Sequence, residues 1–380
     1  MVCGFPLGRV TTVLTFGLAL LVGCSSGSVT SAEAAAPLPP GAAATSTYGW
    51  SSPNPTVPRA VSNPEPFTVK QAYAPRVPAP VPAPLAIRAL PPVVPSSPSA
   101  RDLRIMTFNL RVRTIFDGLN MWDMRRDLVV QRIRNFDPDL LGTQEGLSQQ
   151  EDFLREQLSD YTFFGVGRSD GKRGGEMCGV FFRGARFDLI DGGHFWLSKT
   201  PNKPGSHGWG AIFPRMVTWV KLRPRDGSGP AFCWFNTHFD AWNGHARAES
   251  AKMMVQWMDR IAGTMPRVVT GDFNAVPASD PYRTLLAQRK STPDAALLDA
   301  FRVANPRPIS SEEGTMHNFS GRRDGDRIDW ILTTPQFQVV SAAIDRARGA
   351  LGYPSDHFPV TATLRPVPAL PPQQPVARVE

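Results

Sequence analysis

The chain has 380 residues, 38 of them proline and four cysteine, and a net charge of +8 with a pI near 9.6. No cysteine pair has CxxC spacing, which argues against a structural zinc site, and no Lys/Arg block marks a nucleic-acid tail. The length admits two or three domains, but 17 prolines between residues 31 and 100 accompany a loss of apolar periodicity. Such a stretch cannot offset its own ordering entropy. One folded unit remains, residues 101–365, followed by a Pro-rich tail over 366–380. The basic excess is mild: five basic against two acidic residues over 1–100, and 35 against 30 over 101–365. It permits an anionic substrate without demonstrating one.

Arg9 and the apolar run Val10 to Val22 have the form of an export signal, too short for a comfortable membrane span. Leu21-Val22-Gly23-Cys24 follows and resembles the lipobox of bacterial lipoproteins, whose cysteine is acylated. The alternative is a simple secretory signal cleaved near Ala34-Ala35-Ala36. Both place the protein outside the cytoplasm, either held at the cell membrane through Cys24 or secreted. Residues 1–24 are then the signal, and 25–100 a disordered spacer reaching roughly 50 Å r.m.s..

Within the folded unit, Leu103 to Asn109 reads as a strand ending in a polar residue, and Arg125 to Phe136 has helical spacing. Asp139 to Glu145 predicts a second strand, and Ser148-Gln149-Gln150-Glu151 has capping-box form for a helix to about Leu158. Predicted strands follow over Tyr161 to Val166, Glu176 to Arg183, Phe187 to Trp196, Met216 to Leu222 and Phe232 to His238. Lys199 to Pro214 is a long loop. His245 to Ile261 is amphipathic helix, and Tyr282 to Ala287 and Ala295 to Phe301 read as short helices. Arg327 to Leu332 and Phe358 to Leu364 are strands again. Strands outnumber helices, which suits two packed sheets with helices outside. Cys178 and Cys233 lie on apolar strands and read as plain buried thiols, with a disulfide as the alternative in an exported protein.

Val268-Val269-Thr270 ends in Gly271-Asp272-Phe273-Asn274. In extended backbone Asp272 and Asn274 project to one side and Phe273 to the other, so Phe273 can anchor the core while an acid and an amide face a cleft. Alone, Asp and Asn after Gly more often make an ordinary turn. Asn109, Glu145 and Asp356 also fall at or just beyond apolar strand runs, as do His238 and His357. Asp329 interrupts a strand with apolar neighbours on both sides, and a buried acid needs a partner. Oxygen ligands without cysteine point to magnesium, calcium or manganese.

The succession TFNLR, TQE, NTHFD, GDFN, RIDWIL and SDHFPV resembles the endonuclease/exonuclease/phosphatase superfamily over about Leu103 to Leu364. Its members include pancreatic-type deoxyribonuclease, abasic-site endonuclease, neutral sphingomyelinase and inositol-polyphosphate 5-phosphatase. The resemblance implies an α+β fold, a four-layer α/β sandwich of two packed mixed sheets flanked by helices. It implies a metal held by Glu145 with Asn109 and Asp356, and Asp272 orienting or deprotonating water. Asn274 and His357 would contact phosphate, Asp329 would hold His357, and His238 would act near the leaving oxygen. Glu176, following Gly174-Gly175, is the expected partner of His238. The implied partners are a phosphate-ester substrate, with nucleic acid among the candidates, and a membrane through Cys24; no obligate protein partner is indicated. A phosphatase or a phospholipase of sphingomyelinase type is the alternative activity, and a non-catalytic binding module would have lost one of these residues. Arg168 to Lys172 and Ser206 to Gly210 are expected as substrate-facing rims, and Arg215 as a solvated residue or a phosphate contact.

Overall fold

The structure is a computed structural model that describes residues 101–287, 295–350 and 352–367. The expected signal, lipobox and spacer, and the tail beyond residue 367, lie outside the described residues. Strand β1 (Leu103–Asn109) leads through a 3-10 turn, Ile115–Asn120, into helix α1 (Trp122–Phe136) and back to β2 (Leu140–Gln144). Helix α2 (Ser148–Gln157) precedes β3 (Tyr161–Phe164), β4 (Val180–Arg183), β5 (Phe187–Trp196) and β6 (Met216–Pro224). Then come β7 (Phe232–His238), helix α3 (Gly244–Ala262), β8 (Arg267–Asp272) and helix α4 (Asp280–Leu286). The chain closes with β9 (Leu298–Asp299), helix α5 (Ala300–Ala304), β10 (Asp329–Thr333), β11 (Phe337–Ile344) and β12 (Val360–Pro366).

Two six-stranded mixed sheets result, ordered β11-β12-β1-β2-β4-β3 and β5-β6-β7-β8-β10-β9. Each has one parallel pair at its centre, β1 with β2 and β7 with β8, and each pair is joined through a crossover helix, α1 or α3. Alternation sets the layers. Ile105, Leu140, Val180, Val220, Trp234, Val268 and Ile331 pack between the sheets. Met106, Phe108 and Leu141 face α1 and α2 through Trp122, Val129, Ile133 and Leu154. Phe235, Val269 and Trp330 face α3 and α4 through Met254, Met258 and Leu285. Central strands covered on both faces read as nearly continuous apolar runs, which is why β1, β7 and β8 are legible in the sequence. The order helix, sheet, sheet, helix is the expected four-layer sandwich.

Between the two parallel pairs the interior turns polar. Gln144 Nε2 donates to Thr107 Oγ1 (3.0 Å) and Asn236 Oδ1 (2.8 Å), and Asn236 Nδ2 donates to the carbonyls of Thr143 and Gly179. Thr270 Oγ1 donates to Asn236 Oδ1 at 2.9 Å and accepts from Trp234 Nε1. The sheets approach so closely here that a Cβ on Gly142 would stand 2.6 Å from Thr270 Oγ1.

Several expected elements differ. Residues 176–179 form no strand; Met177 makes only isolated bridges to Gly146 and Gly167, and β4 begins at Val180. The helix expected over Ala295 to Phe301 is displaced, because Asp299 Oδ1 accepts from Phe301 and Arg302 N–H and caps α5 at Ala300. Strand β11 was not expected, although Phe337 and Val339 alternate with polar residues. Gly271 does not open a turn. It lies inside β8, between Thr237 of β7 and Trp330 of β10, and a Cβ there would meet the Thr237 carbonyl at 2.4 Å. Cys178 and Cys233 are free and buried, with no disulfide.

Candidate active site

The carboxyl ends of both parallel pairs meet at one edge of the sandwich. Asn109 ends β1, Glu145 follows β2, and His238 and Asp272 end β7 and β8 as register partners. Asp329 opens β10 as the register partner of Asp272 on its other side, so the sheet sets an acid between a histidine and a second acid. Arg111, Glu145 and Asn274 have φ of 57°, 61° and 46°, the left-handed region that turns the chain sharply after each strand. For Arg and Glu this is strained backbone, kept where a side chain must be re-aimed.

Asn109 joins the two sheets: its Nδ2 donates to Glu145 Oε1 (3.0 Å) and Asp272 Oδ2 (2.9 Å). Glu145 Oε2 accepts from Val112 N–H at 2.8 Å. Burial opposes charge on Glu145, but His357, these hydrogen bonds and Arg111 outweigh it and hold its carboxyl below the usual range. Asp272 Oδ1 accepts from Asn274 N–H (2.9 Å), and Phe273 is buried behind it, stacked on Trp330 with centroids 4.4 Å apart. Burial first, and then the charge of Asp329, push Asp272 up to about 7.

His357 Nδ1 donates to Asp329 Oδ2 at 2.9 Å and lies 3.9 Å from Asp272 Oδ2. Burial works against its charge, yet the charge and hydrogen bond of Asp329, then Asp272 and Asp356, keep it an imidazolium well above its ordinary range. His238 is the opposite case. Burial, then Arg215 and Arg168, hold it neutral, with a pKa well below the ordinary value. Its Nε2 accepts from Asn274 Nδ2 (3.0 Å) and lies 3.6 Å from Asp272 Oδ2.

The remaining expected residues are placed differently. Glu176 lies 3.8 Å from His238 Nδ1, too far for a hydrogen bond, and its Oε1 accepts instead from Arg168 at 2.6 Å. Asp356 pairs with Arg111 at 3.5 Å, and Ser355 Oγ donates to it at 3.2 Å. Burial, and further out the charge of Glu145, raise its pKa. Among the described residues two sets of titratable ligands converge, Glu145, His238 and Asp272, and Asp272, Asp329 and His357, each set lying within 4.8 Å.

Sequence reasoning undervalued the arginines. Arg215 is only 5 % exposed, and its Nε and one terminal nitrogen have no hydrogen-bond partner; Asp240 Oδ2 is 3.6 Å from Nε. With Arg168, also buried, it makes a positive wall beside His238. In the sequence Arg125 marks only the start of a helix. It is buried and donates to the carbonyls of Leu110, Arg111, Asn120 and Pro354, fastening the loops that carry Arg111 and Asp356. No local pattern separates such residues from solvated ones.

This geometry can be set against known proteins. A model of the endonuclease/exonuclease/phosphatase family matches residues 106–357. The chain belongs to that family. A family structure from Bacteroides vulgatus is 36% identical, with a TM-score of 0.64 over 70% of this chain and 99% of that one. A mannosyl-6-phosphatase of Bacteroides thetaiotaomicron VPI-5482 is 32% identical, with a TM-score of 0.61 over 69% of this chain and 99% of that one. Nocturnin of Drosophila melanogaster is 23% identical over 314 residues, 70% of this chain and 47% of that protein. The chain thus spans about half the length of that curated relative. Enzymes of that family generally use divalent metals, and the acidic and histidine sets described above could hold one.

Proposed function

We propose that this family member is a divalent-metal-dependent hydrolase of phosphate esters, acting on phosphodiesters in the manner of a nuclease. The observation that carries the reading is the meeting of Asn109, Glu145, His238, Asp272 and His357 where both parallel pairs end. The donor set fits a hard cation. Glu145, Asp272, Asp329 and Asp356 bring four carboxyl groups to one edge beside the Asn109 amide, an oxygen-rich set that suits a divalent ion. Glu145 would hold the ion with Asn109 and Asp356. It would polarise the phosphoryl group and offset charge on the leaving oxygen, with magnesium favoured over manganese or calcium.

The chain's own residues divide the remaining work. Asp272 is fixed from both sides by Asn109 and Asn274 N–H, and a carboxylate near neutrality in pKa can take a proton from water. The His357 imidazolium, oriented by Asp329, presents fixed positive charge where phosphoryl oxygens become more negative. Asn274 Nδ2 orients His238, and the Arg168–Arg215 wall beside that imidazole would offset charge on the leaving oxygen. A second reading, hydrolysis of a sugar phosphate monoester, is favoured by the mannosyl-6-phosphatase, which matches at 32% identity against 23% for nocturnin. We further propose that the protein is exported and tethered through Cys24, so that Cys24→Ser releases it from membranes.

A panel of DNA, RNA, phospholipid and sugar phosphates, assayed in magnesium and in EDTA, tests the reading. Turnover of at least one substrate, abolished by EDTA, is expected. Full turnover in chelator overturns it.

A further inference from the structure

The 3-10 turn Ile115–Asn120 is the most exposed apolar segment among the described residues. Ile115, Phe116 and Leu119 are 80%, 91% and 88% exposed, and none of its six residues is buried. Met124, 52% exposed, shares the wall of a groove with Leu119, Leu128 and Tyr353, so the apolar surface is continuous from the turn onto α1. The turn is proud of the fold: a Cβ on Gly118 would find nothing within 4 Å. It is nevertheless firmly based. Asp117 accepts from Arg111 Nε (3.0 Å) and a terminal nitrogen (2.8 Å), Met121 N–H donates to Gly118 O, and Arg125 Nε donates to Asn120 O.

Charge tells what covers it. Arg113 and Arg126 flank the apolar tip, both nearly half exposed in their side chains and sharing the single carboxylate of Asp123 at 3.0 and 3.8 Å. Over residues 111–126 four arginines stand against two aspartates. Bulky apolar side chains on a convex tip, ringed by half-neutralised guanidiniums, match a surface that yields to the tip and offers anions around it. Acyl chains under a layer of phosphate head groups have that chemistry. A protein partner would need a preformed apolar socket of the same shape.

We propose that this turn docks on an anionic phospholipid membrane surface. Arg111, which binds Asp117 at the turn, also pairs with Asp356 at 3.5 Å, so docking would hold the catalytic cleft next to the head-group layer. The proposal rests on neither the phosphoesterase reading nor the acyl anchor. It predicts binding without acylation.

The test uses the full chain with Cys3→Ser and Cys24→Ser, and vesicles of phosphatidylglycerol with phosphatidylcholine. Combined Ile115→Ser, Phe116→Ser and Leu119→Ser should weaken vesicle binding at least about tenfold, the size expected from removing three inserted side chains. The thermal midpoint should not change, because the turn buries nothing. Both chains keep the apolar N-terminal run, so the difference between them reads the turn. A polarity-sensitive dye on Phe116→Cys should shift to the blue on these vesicles and less on phosphatidylcholine alone. Equal affinity of the two chains, an unshifted dye, or a lowered midpoint overturns the proposal. So does a dimer in gel filtration that the triple variant disperses without vesicle binding, which would make the turn a contact between copies.

Discussion

The two crossover units, β1-α1-β2 and β7-α3-β8, have the same architecture and opposite chemistry. The first ends in Asn109 and Glu145, with its carboxylate held ionised. The second ends in a neutral His238 and an Asp272 whose carboxyl is pushed up to about 7. Glu145 is partly buried and Asp272 fully so, and burial opposes charge on both. Neighbours decide the outcome: His357, two hydrogen bonds and Arg111 serve Glu145, whereas Asp272 faces the acid Asp329 across its own sheet. One unit is thereby suited to hold a cation and the other to move a proton, and Asn109 ties them together with one amide.

That division can be broken at either unit. Asp272→Asn keeps shape but removes the proton acceptor, and should lower kcat at least about 10²-fold with little change in KM. Stability should hold or rise, since one of two facing acids is neutralised; a near-normal kcat would place the base elsewhere, with His357 next in line. Arg125→Met leaves four carbonyls, two of them buried, without their donor and should cost about 3 kcal/mol in urea unfolding, the first unit suffering because Arg125 fastens its loops. A loss under about 1 kcal/mol would mean that water replaces the guanidinium. Glu145→Gln should raise the magnesium concentration needed for half-maximal activity about tenfold or more, whereas Asp272→Asn should not. Equal shifts in both variants would erase the contrast.

The smallest effect sharpens the comparison beneath the first unit. Glu151 is buried and accepts from Thr143 Oγ1 at 2.7 Å, and burial pushes its carboxyl up to about 8 from an ordinary 4.5. The folded chain therefore keeps this proton over a pH range in which the unfolded chain has lost it. The contribution of Glu151 to stability is full below about 4.5 and is lost as pH rises toward 8. Glu151→Gln should raise the thermal midpoint by a few degrees at pH 8 and hardly at all at pH 4.5. A gain of equal size at both values would show that its charge is not involved.

Much of this was legible before the fold was known. Glu145, His238 and Asp272 stand where apolar runs stop, and Asp329 announces a partner because an acid inside an apolar strand needs one; His357 is that partner. Where tertiary approach decides, the sequence was silent or misleading. Gly271 resembled a turn signal, but it is a glycine because the β7 backbone passes beside it. Glu176 was expected on a strand against His238, and it sits in irregular chain against Arg168. The polar interior of Gln144, Asn236 and Thr270 has no signature of its own, since each residue would suit a surface equally well.

The tie made by Asn109 also bears on how the chain refolds. Each parallel pair must close a loop around its crossover helix before its strands can meet, and such non-local closures are slow. The candidate site draws on both pairs, so neither sheet alone assembles it. Recovered activity after dilution from denaturant should therefore lag behind recovered far-ultraviolet circular dichroism, and the lag would time the docking of one sheet on the other.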